Sequence, residues 1–591
     1  MEMAVEEYDE EIPREPAIDG PQFDQLMNDG WSLEPPSPAN SSTSTDLVMY
    51  MRPTLAATSR EMLWARFFEK TCGILSVKDG NAENPWRTYI LPLAQGVPAL
   101  QYAIRSMSAL HGSRDYLANP QEKHELLLSG VAHMQKSLHA LLEEMKTGLR
   151  AQSVEAYLAT ALALGFSDSW DEHVKSGIKH MQGARALVNQ AIAMHRAKID
   201  AGILEDQATD RLKFLCNTYV YMDVLARLTS LEDTDHNVDH DHFEDIIATV
   251  NGPLSEVTEI DPLLGCAHSL FPLIGRVANL VQKVRKCKKQ PGVNLKSYSN
   301  NLTLVSQATE LKRDLQLWRV PDAINFERPF DPTIEVEHSI YTAEAYHWAT
   351  LLFLYQAVPE VQSESAGELA KRILIFLANV PPWSRATIVQ IFPLLAASCE
   401  VVTADNRHWV RQRWQAMVSR LEIRNVDKCL EIIEEVWSRR DVFENHKEEL
   451  LRRRQHPRGA LSNGAVAPLN GADNRKDLSF ETNNTEATYN GFVGIASQVN
   501  GCIGPNARRR MTLDHAGRPV TLGAPGVEAR MPQQPSLSRR PSDMPQIVME
   551  QEYTVGDRLH WLGVMEDHGC EGTFTRLRCS LISRTILTPS T

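Results

Sequence analysis

Apolar residues recur along most of this chain at intervals of three and four. In FPLLAASCEVVTADNRHWVRQRWQAMVSRLEIRNVDKCLEIIEEVWSRR (Phe392 to Arg440) they make two stripes: Val410, Trp414, Met417 and Leu421, then Val426, Leu430, Ile433 and Trp437. That is the 3.6-residue period of an amphipathic helix, not the two-residue period of a strand. Asp405 stands before the first stripe and Asn425 before the second, each with a side-chain oxygen able to cap a new helix. The stretch is expected to be three helices joined by tight corners.

The same spacing extends far upstream. Leu63, Trp64, Phe67 and Phe68 form one face, and Leu100, Ile104, Met107 and Leu110 another. Leu126, Met134, Leu138, Leu141 and Met145 follow, then Val154, Tyr157, Leu158, Ala161 and Leu162, and later Leu273, Val277, Leu280, Val281 and Val284. Further helices are expected from Leu302 to Trp318, Ala343 to Ala357 and Leu369 to Asn379, the last broken by Pro381-Pro382. In the helix pair after Trp170, Gly183 and Ala184 would admit a neighbouring helix closely. No repeat of fixed period is visible. The expected fold is all-α: one large multi-helical domain over 46–450, flanked by disordered N- and C-terminal tails.

Residues 1–45 read as an acidic disordered leader. The first 34 residues carry eleven acids and one base, Arg14, and cannot bury enough surface to offset chain entropy. Phe23, Leu26, Met27, Trp31 and Leu33 are interleaved with Asp24 and Asp29, the composition of a disordered activation segment that a partner groove accepts. Residues 451–591 read as a mostly disordered basic and polar tail, interrupted by one isolated apolar island, Leu559 to Asp567.

Composition narrows the function classes. Hydrophobic residues make up 43%, enough for a substantial core, and the net charge of −14 argues against a protein that coats nucleic acid. The nine cysteines (Cys72, Cys216, Cys266, Cys287, Cys399, Cys429, Cys502, Cys570, Cys579) are scattered singly, as reduced core thiols are. The N-terminus lacks a signal-peptide pattern, and no apolar run approaches the roughly 20 residues that span a bilayer. The chain reads as soluble and intracellular, with no membrane partner.

Candidate chemistry is thin. His111 ends a helix alone and reads as a packed residue. His173 and His180 lie seven apart on one face, but no third ligand is near and structural zinc wants four. Asp233 to Asp245 holds His236, His240 and His242 among acids, without the further His and Asp ligands a metal phosphohydrolase needs or the adjacent Asp pair of a terpene synthase. Nucleophile elbow, phosphate-binding loop and dinucleotide fingerprint are missing. No catalytic, cofactor-binding or metal residue is expected. The cluster Lys283, Arg285, Lys286, Lys288 and Lys289 falls at a helix end, where cations suit the dipole and keep the surface soluble.

Several motifs share one resemblance. FPLLA, NRHWV and VWSRR in the opening stretch, WDEH with HMQGARAL at Trp170 to Leu187, the run Asp261-Pro262-Leu263-Leu264-Gly265 with Leu270-Phe271, and Ala109-Leu110-His111 together resemble the fungal-specific transcription factor domain, the second of two related families. The likeness covers roughly residues 46 to 445, and the apolar island resembles the closing segment of some members.

The resemblance implies an all-helical regulatory region that acts through contact and not catalysis. Its partners would be proteins of the transcription machinery, a second copy of the chain, and a small-molecule effector between helices. Such regions usually follow a binuclear zinc cluster of six cysteines. Here the first cysteine is Cys72, inside the helical pattern, so no cofactor is expected in this chain. Zinc would require a separate N-terminal cysteine cluster, and DNA would be reached indirectly or through that module. The implied location is the nucleus, with shuttling to the cytoplasm. Arg452, Arg453, Arg454 and Arg458, and again Arg508, Arg509 and Arg510, have the composition of import signals, and Ser542 follows Arg539-Arg540-Pro541 as a basophilic kinase site would. The alternatives are a helical scaffold without a transcriptional role, or a metal-dependent helical enzyme.

Overall fold

In the computed structural model the described residues form 16 α-helices from these periodic stretches and no strand. The structure describes residues 55–455, less 81, 116–117, 147–153, 171–177, 204–205, 231–241, 252–258, 290–301, 322–325, 327–335 and 362–363, together with 553–568. The helices are α1 Arg60–Arg66, α2 Leu91–Ala94, α3 Pro98–Gly112, α4 Pro120–Lys146, α5 Val154–Trp170, α6 Ile178–Asp200, α7 Asp206–Thr229 and α8 His242–Asn251. Then come α9 Phe271–Lys289, α10 Leu302–Leu317, α11 Val336–Ala357, α12 Ala366–Ala378, α13 Ile391–Ser398, α14 Ala404–Leu421, α15 Arg424–Gln455 and α16 Trp561–Asp567.

Local chemistry fixes the helix starts. Ser365 caps α12 by accepting from the Glu368 amide at 3.2 Å, with Glu368 three residues on, as in a capping box. Pro98 and Pro120 open α3 and α4, where a missing N–H costs nothing. The corner expected near residue 405 is capped by Thr403, whose Oγ1 accepts from Asn406, and not by Asp405, which lies inside the first turn. Asn425 likewise lies inside α15 and does not cap it; α14 ends on Glu422 in the left-handed region, and only Glu422 and Ile423 join the two helices.

Contacts between helices close a ring. α5 packs on α7, α7 on α9, α9 on α11, α11 on α13, α13 on α15, and α15 returns to α5. The intervening helices cover these pairs: α6 sits on α5 and α7, α10 on α9 and α11, and α12 on α11 and α13. α11 is buried nearly all round, which explains why AEAYHWATLLFLYQA is apolar on every side. The tryptophans of the last helices are ties within this packing: the Trp437 indole donates to the Ser398 carbonyl at 2.9 Å and Trp414 to the Ser398 hydroxyl at 3.2 Å. The Asp261–Gly265 run is a tight turn, with Asp261 Oδ1 accepting from the Leu263 and Leu264 amides and Gly265 at φ +61.

The apolar island is not isolated in space. Residues 553–568 lie against α9, α11 and α15, and Val555, Leu559, Trp561, Leu562 and Val564 are fully buried there.

Candidate functional site

Within the ring, α5, α7, α13 and the α14–α15 corner leave a cavity of about 220 Å³, with α16 as a further wall. Phe166 and Trp170 come from α5, Met222 and Leu225 from α7, Phe392 from α13, and Trp561 and Met565 from α16. Gly165 lets α5 approach: a Cβ there would stand 2.8 Å from Met181 and 2.9 Å from Met222. Two larger spaces, about 360 and 310 Å³, are lined by charged groups such as Glu344, Glu364 and Arg319 or Lys78, Asp210 and Glu259. The ring cavity is the mainly apolar one with few polar groups, the character of a small-molecule site.

Of its polar lining, Ser169 comes from α5, Tyr221 and Thr229 from α7, and Asn425 and Lys428 from the start of α15. Asn425 and Lys428 stand three apart on α15 and so share a face. The Lys428 ammonium donates to Glu431 at 2.5 Å, while the buried Asn425 Oδ1 has no hydrogen-bond donor from the protein.

A clasp of basic residues holds the α16 wall. Lys288 Nζ donates to the Thr554 hydroxyl at 2.6 Å, the Val555 carbonyl at 3.0 Å and Asp557 at 2.7 Å, and Lys289 pairs with Glu566. Arg285, buried, lies 3.7 Å from Glu566. Across the segment, Arg439 donates to Asp567 at 2.6 Å and Arg440 to the Leu559 carbonyl at 2.9 Å, while Arg440 also grips Glu400 with both terminal nitrogens at 2.9 Å. The cations at the end of α9 are thus not only a solubilising fringe; three of them dock a distant part of the chain.

His560 completes the contact. Its Nδ1 accepts from the Leu562 amide at 3.1 Å, so Nε2 carries the proton and donates to Gln356 Oε1 at 3.1 Å. Burial, with Arg440, Arg285 and Lys288 nearby, holds its pKa well below the usual histidine value.

The other sequence candidates that lie among the described residues make packing and pairing contacts. His111 is buried against the Thr71 hydroxyl at 3.0 Å, and burial followed by Arg66 and Lys70 lowers its pKa to about 3. His180 pairs with Asp168 at 3.0 Å, while His173 lies outside the described residues. Of the histidine–aspartate loop, His236 and His240 lie outside them too, and His242 packs beside Tyr219 and Phe243. Among the described residues no group of three or more His, Cys, Asp or Glu side chains could hold a metal ion. The six described cysteines are outside any disulfide, five of them are buried, and burial pushes the Cys266 thiol up to about 12. No described helix is long and apolar enough to cross a membrane. Arg452 is exposed near the end of α15 and pairs with Glu448 at 3.0 Å; Arg453 and Arg454 share that helix, while Arg458, Arg508, Arg509, Arg510 and Ser542 lie outside the described residues.

Residues 62–456 match the family described as fungal specific transcription factor domain. The chain belongs to that family. The match takes in most of α1 and all of α2 to α15, hence the whole ring. No curated protein and no solved structure matches the chain. In this fungal transcription factor domain the signature tryptophans and the Asp261–Gly265 turn serve packing. The cavity and its clasp were missed by sequence reasoning, because each cavity residue looks like ordinary core and the clasp joins segments far apart in the chain.

Proposed function

We propose that this chain is a nuclear regulator of transcription that acts by contact, its state set by a small molecule in the ring cavity. The family match over 62–456 carries the reading, and the mainly apolar cavity supports an effector. Its partners on this view are proteins of the transcription machinery and a second copy of the chain. DNA is reached through a zinc-cluster module that the described residues do not supply. Arg452, Arg453, Arg454 and Arg458 with Arg508, Arg509 and Arg510 serve nuclear import, with shuttling to the cytoplasm, and phosphate on Ser542 adds negative charge beside Arg539 and Arg540.

The test is a fusion of the full chain to an unrelated DNA-binding module, read by a reporter gene and by fluorescence in a fungal host. Nuclear accumulation that falls when both arginine clusters become alanine, together with a changed reporter level, is expected. A fusion that stays in the cytoplasm and leaves the reporter untouched would overturn the proposal.

A further inference from the structure

One pair of polar residues in the cavity lining narrows the class of effector. Trp170, Phe392 and Trp561 suit an apolar body, while Asn425 and Lys428 stand together at the amino-terminal end of α15, the positive end of the helix dipole. Asn425 Oδ1 lacks a donor, and Lys428 offers a cation whose carboxylate partner, Glu431, is shared with Arg424 at 3.1 Å. A guest that satisfies both brings a hydrogen-bond donor and an anionic acceptor on one end of a greasy chain or ring.

The opposite constraint comes from α16. Trp561 and Met565 face the space, yet residues 553–568 join α15 only through the long stretch 456–552 and are held by the Lys288, Lys289, Arg439 and Arg440 clasp. A guest filling this space touches the domain and α16 at once. A molecule that contacts both halves of a contact must strengthen it, and the strengthening is reciprocal.

Resting on the cavity reading above, we infer that the cavity takes a small amphipathic acid, an apolar body with a carboxylate and a neighbouring hydroxyl, and that its binding and the docking of residues 553–568 reinforce each other. The acid thereby decides how firmly the C-terminal segment is kept on the domain.

The test uses the full chain with 2-hydroxyoctanoate, octanoate and 1-octanol as probes, followed by calorimetry and by amide hydrogen exchange. The hydroxy acid is expected to bind at least about ten-fold tighter than the alcohol, with octanoate between them. At ten times its Kd it should slow exchange at Val555, Gly563 and Val564 by about eleven-fold, the factor 1 + [L]/Kd for a ligand of the docked state alone, and leave α4 unchanged. Trp561→Ala should weaken the acid at least about ten-fold. If that variant does not fold, Lys428→Gln should erase the preference for acid over alcohol. Acid binding without slower exchange at residues 553–568 would overturn the coupling and leave the cavity standing as a ligand site. Equal affinity for acid and alcohol would overturn the ligand class. No binding of any probe at millimolar concentration would overturn the cavity reading itself, and this inference with it.

Discussion

Phe353 and Trp561 stack with ring centroids 5.5 Å apart and planes 26° from parallel, one from the body of α11 and the other from the first residue of α16. The pair fastens a C-terminal helix of seven residues to α11, a helix buried along most of its length. Such a short helix has little stability alone, so its structure depends on this docking.

Gly563 gives the sharpest test of how tightly α16 is seated. A Cβ there would lie 2.2 Å from the Asp557 carbonyl oxygen, a backbone atom that no rotamer change can move. Gly563→Ala is expected to cost at least about 2 kcal/mol and to speed exchange of the 553–568 amides. Gly165→Ala meets only the mobile ends of Met181 and Met222 and should cost at most about 1 kcal/mol. Urea denaturation of both variants checks the contrast; equal losses would count against it.

Arg440 is nearly fully buried, with Glu400 as its bidentate partner and the Cys399 and Leu559 carbonyls as further acceptors. Arg440→Ala leaves Glu400 without its cation and is expected to cost about 3–5 kcal/mol. Arg440→Lys should recover only part of this, because an ammonium cannot reproduce the planar fork. The exposed Arg452–Glu448 pair supplies the comparison, and Arg452→Ala should change stability by less than about 1 kcal/mol. Chemical denaturation at equal pH measures all three.

Acid should loosen the fold before the carboxylates titrate. Burial lowers the pKa of His560 well below 6.5, of His111 to about 3, and of His133 and His242 to about 4. Each is therefore neutral when folded and takes a proton more readily when unfolded. Their contribution is fully present above pH 6.5 and is lost as pH falls from 6.5 toward the folded values. The urea midpoint is expected to drop steadily between pH 7 and pH 5. A flat midpoint across that interval would contradict the burial of these rings.

The cap at the α13–α14 corner separates two residues that sequence alone could not rank. Thr403→Ala should cost about 1 kcal/mol, since its hydroxyl accepts from the Asn406 amide. Asp405→Ala should cost only a few tenths, through the helix dipole. Thermal denaturation of the two variants, run side by side, decides between them.

Much of the architecture was readable from spacing. Val410, Trp414, Met417 and Leu421 are all buried on one face of α14, and the all-α reading followed from many such stripes. The second stripe was read too narrowly: Leu430 is only half-buried, and Cys429, Ile432 and Val436 share its inward face. Caps slipped by one or two residues because Thr403 and Asp405 both carry a suitable oxygen, and only backbone geometry distinguishes them. The cluster from Lys283 to Lys289 looked like a solvated helix end because its partners, Asp557 and Glu566, lie far along the chain. The cavity was illegible for a related reason: an apolar residue facing empty space and one facing another side chain have the same letter.

The return contact of α15 on α5 also has a meaning for how the molecule is made. α5 and α15 cannot meet until the ribosome has released almost the whole domain, so the face of α5 that receives α15 stays open during synthesis. A nascent chain of this kind presents chaperones with a sticky, unclosed arc, and productive yield in a cell depends on how long that arc is shielded before its ends join.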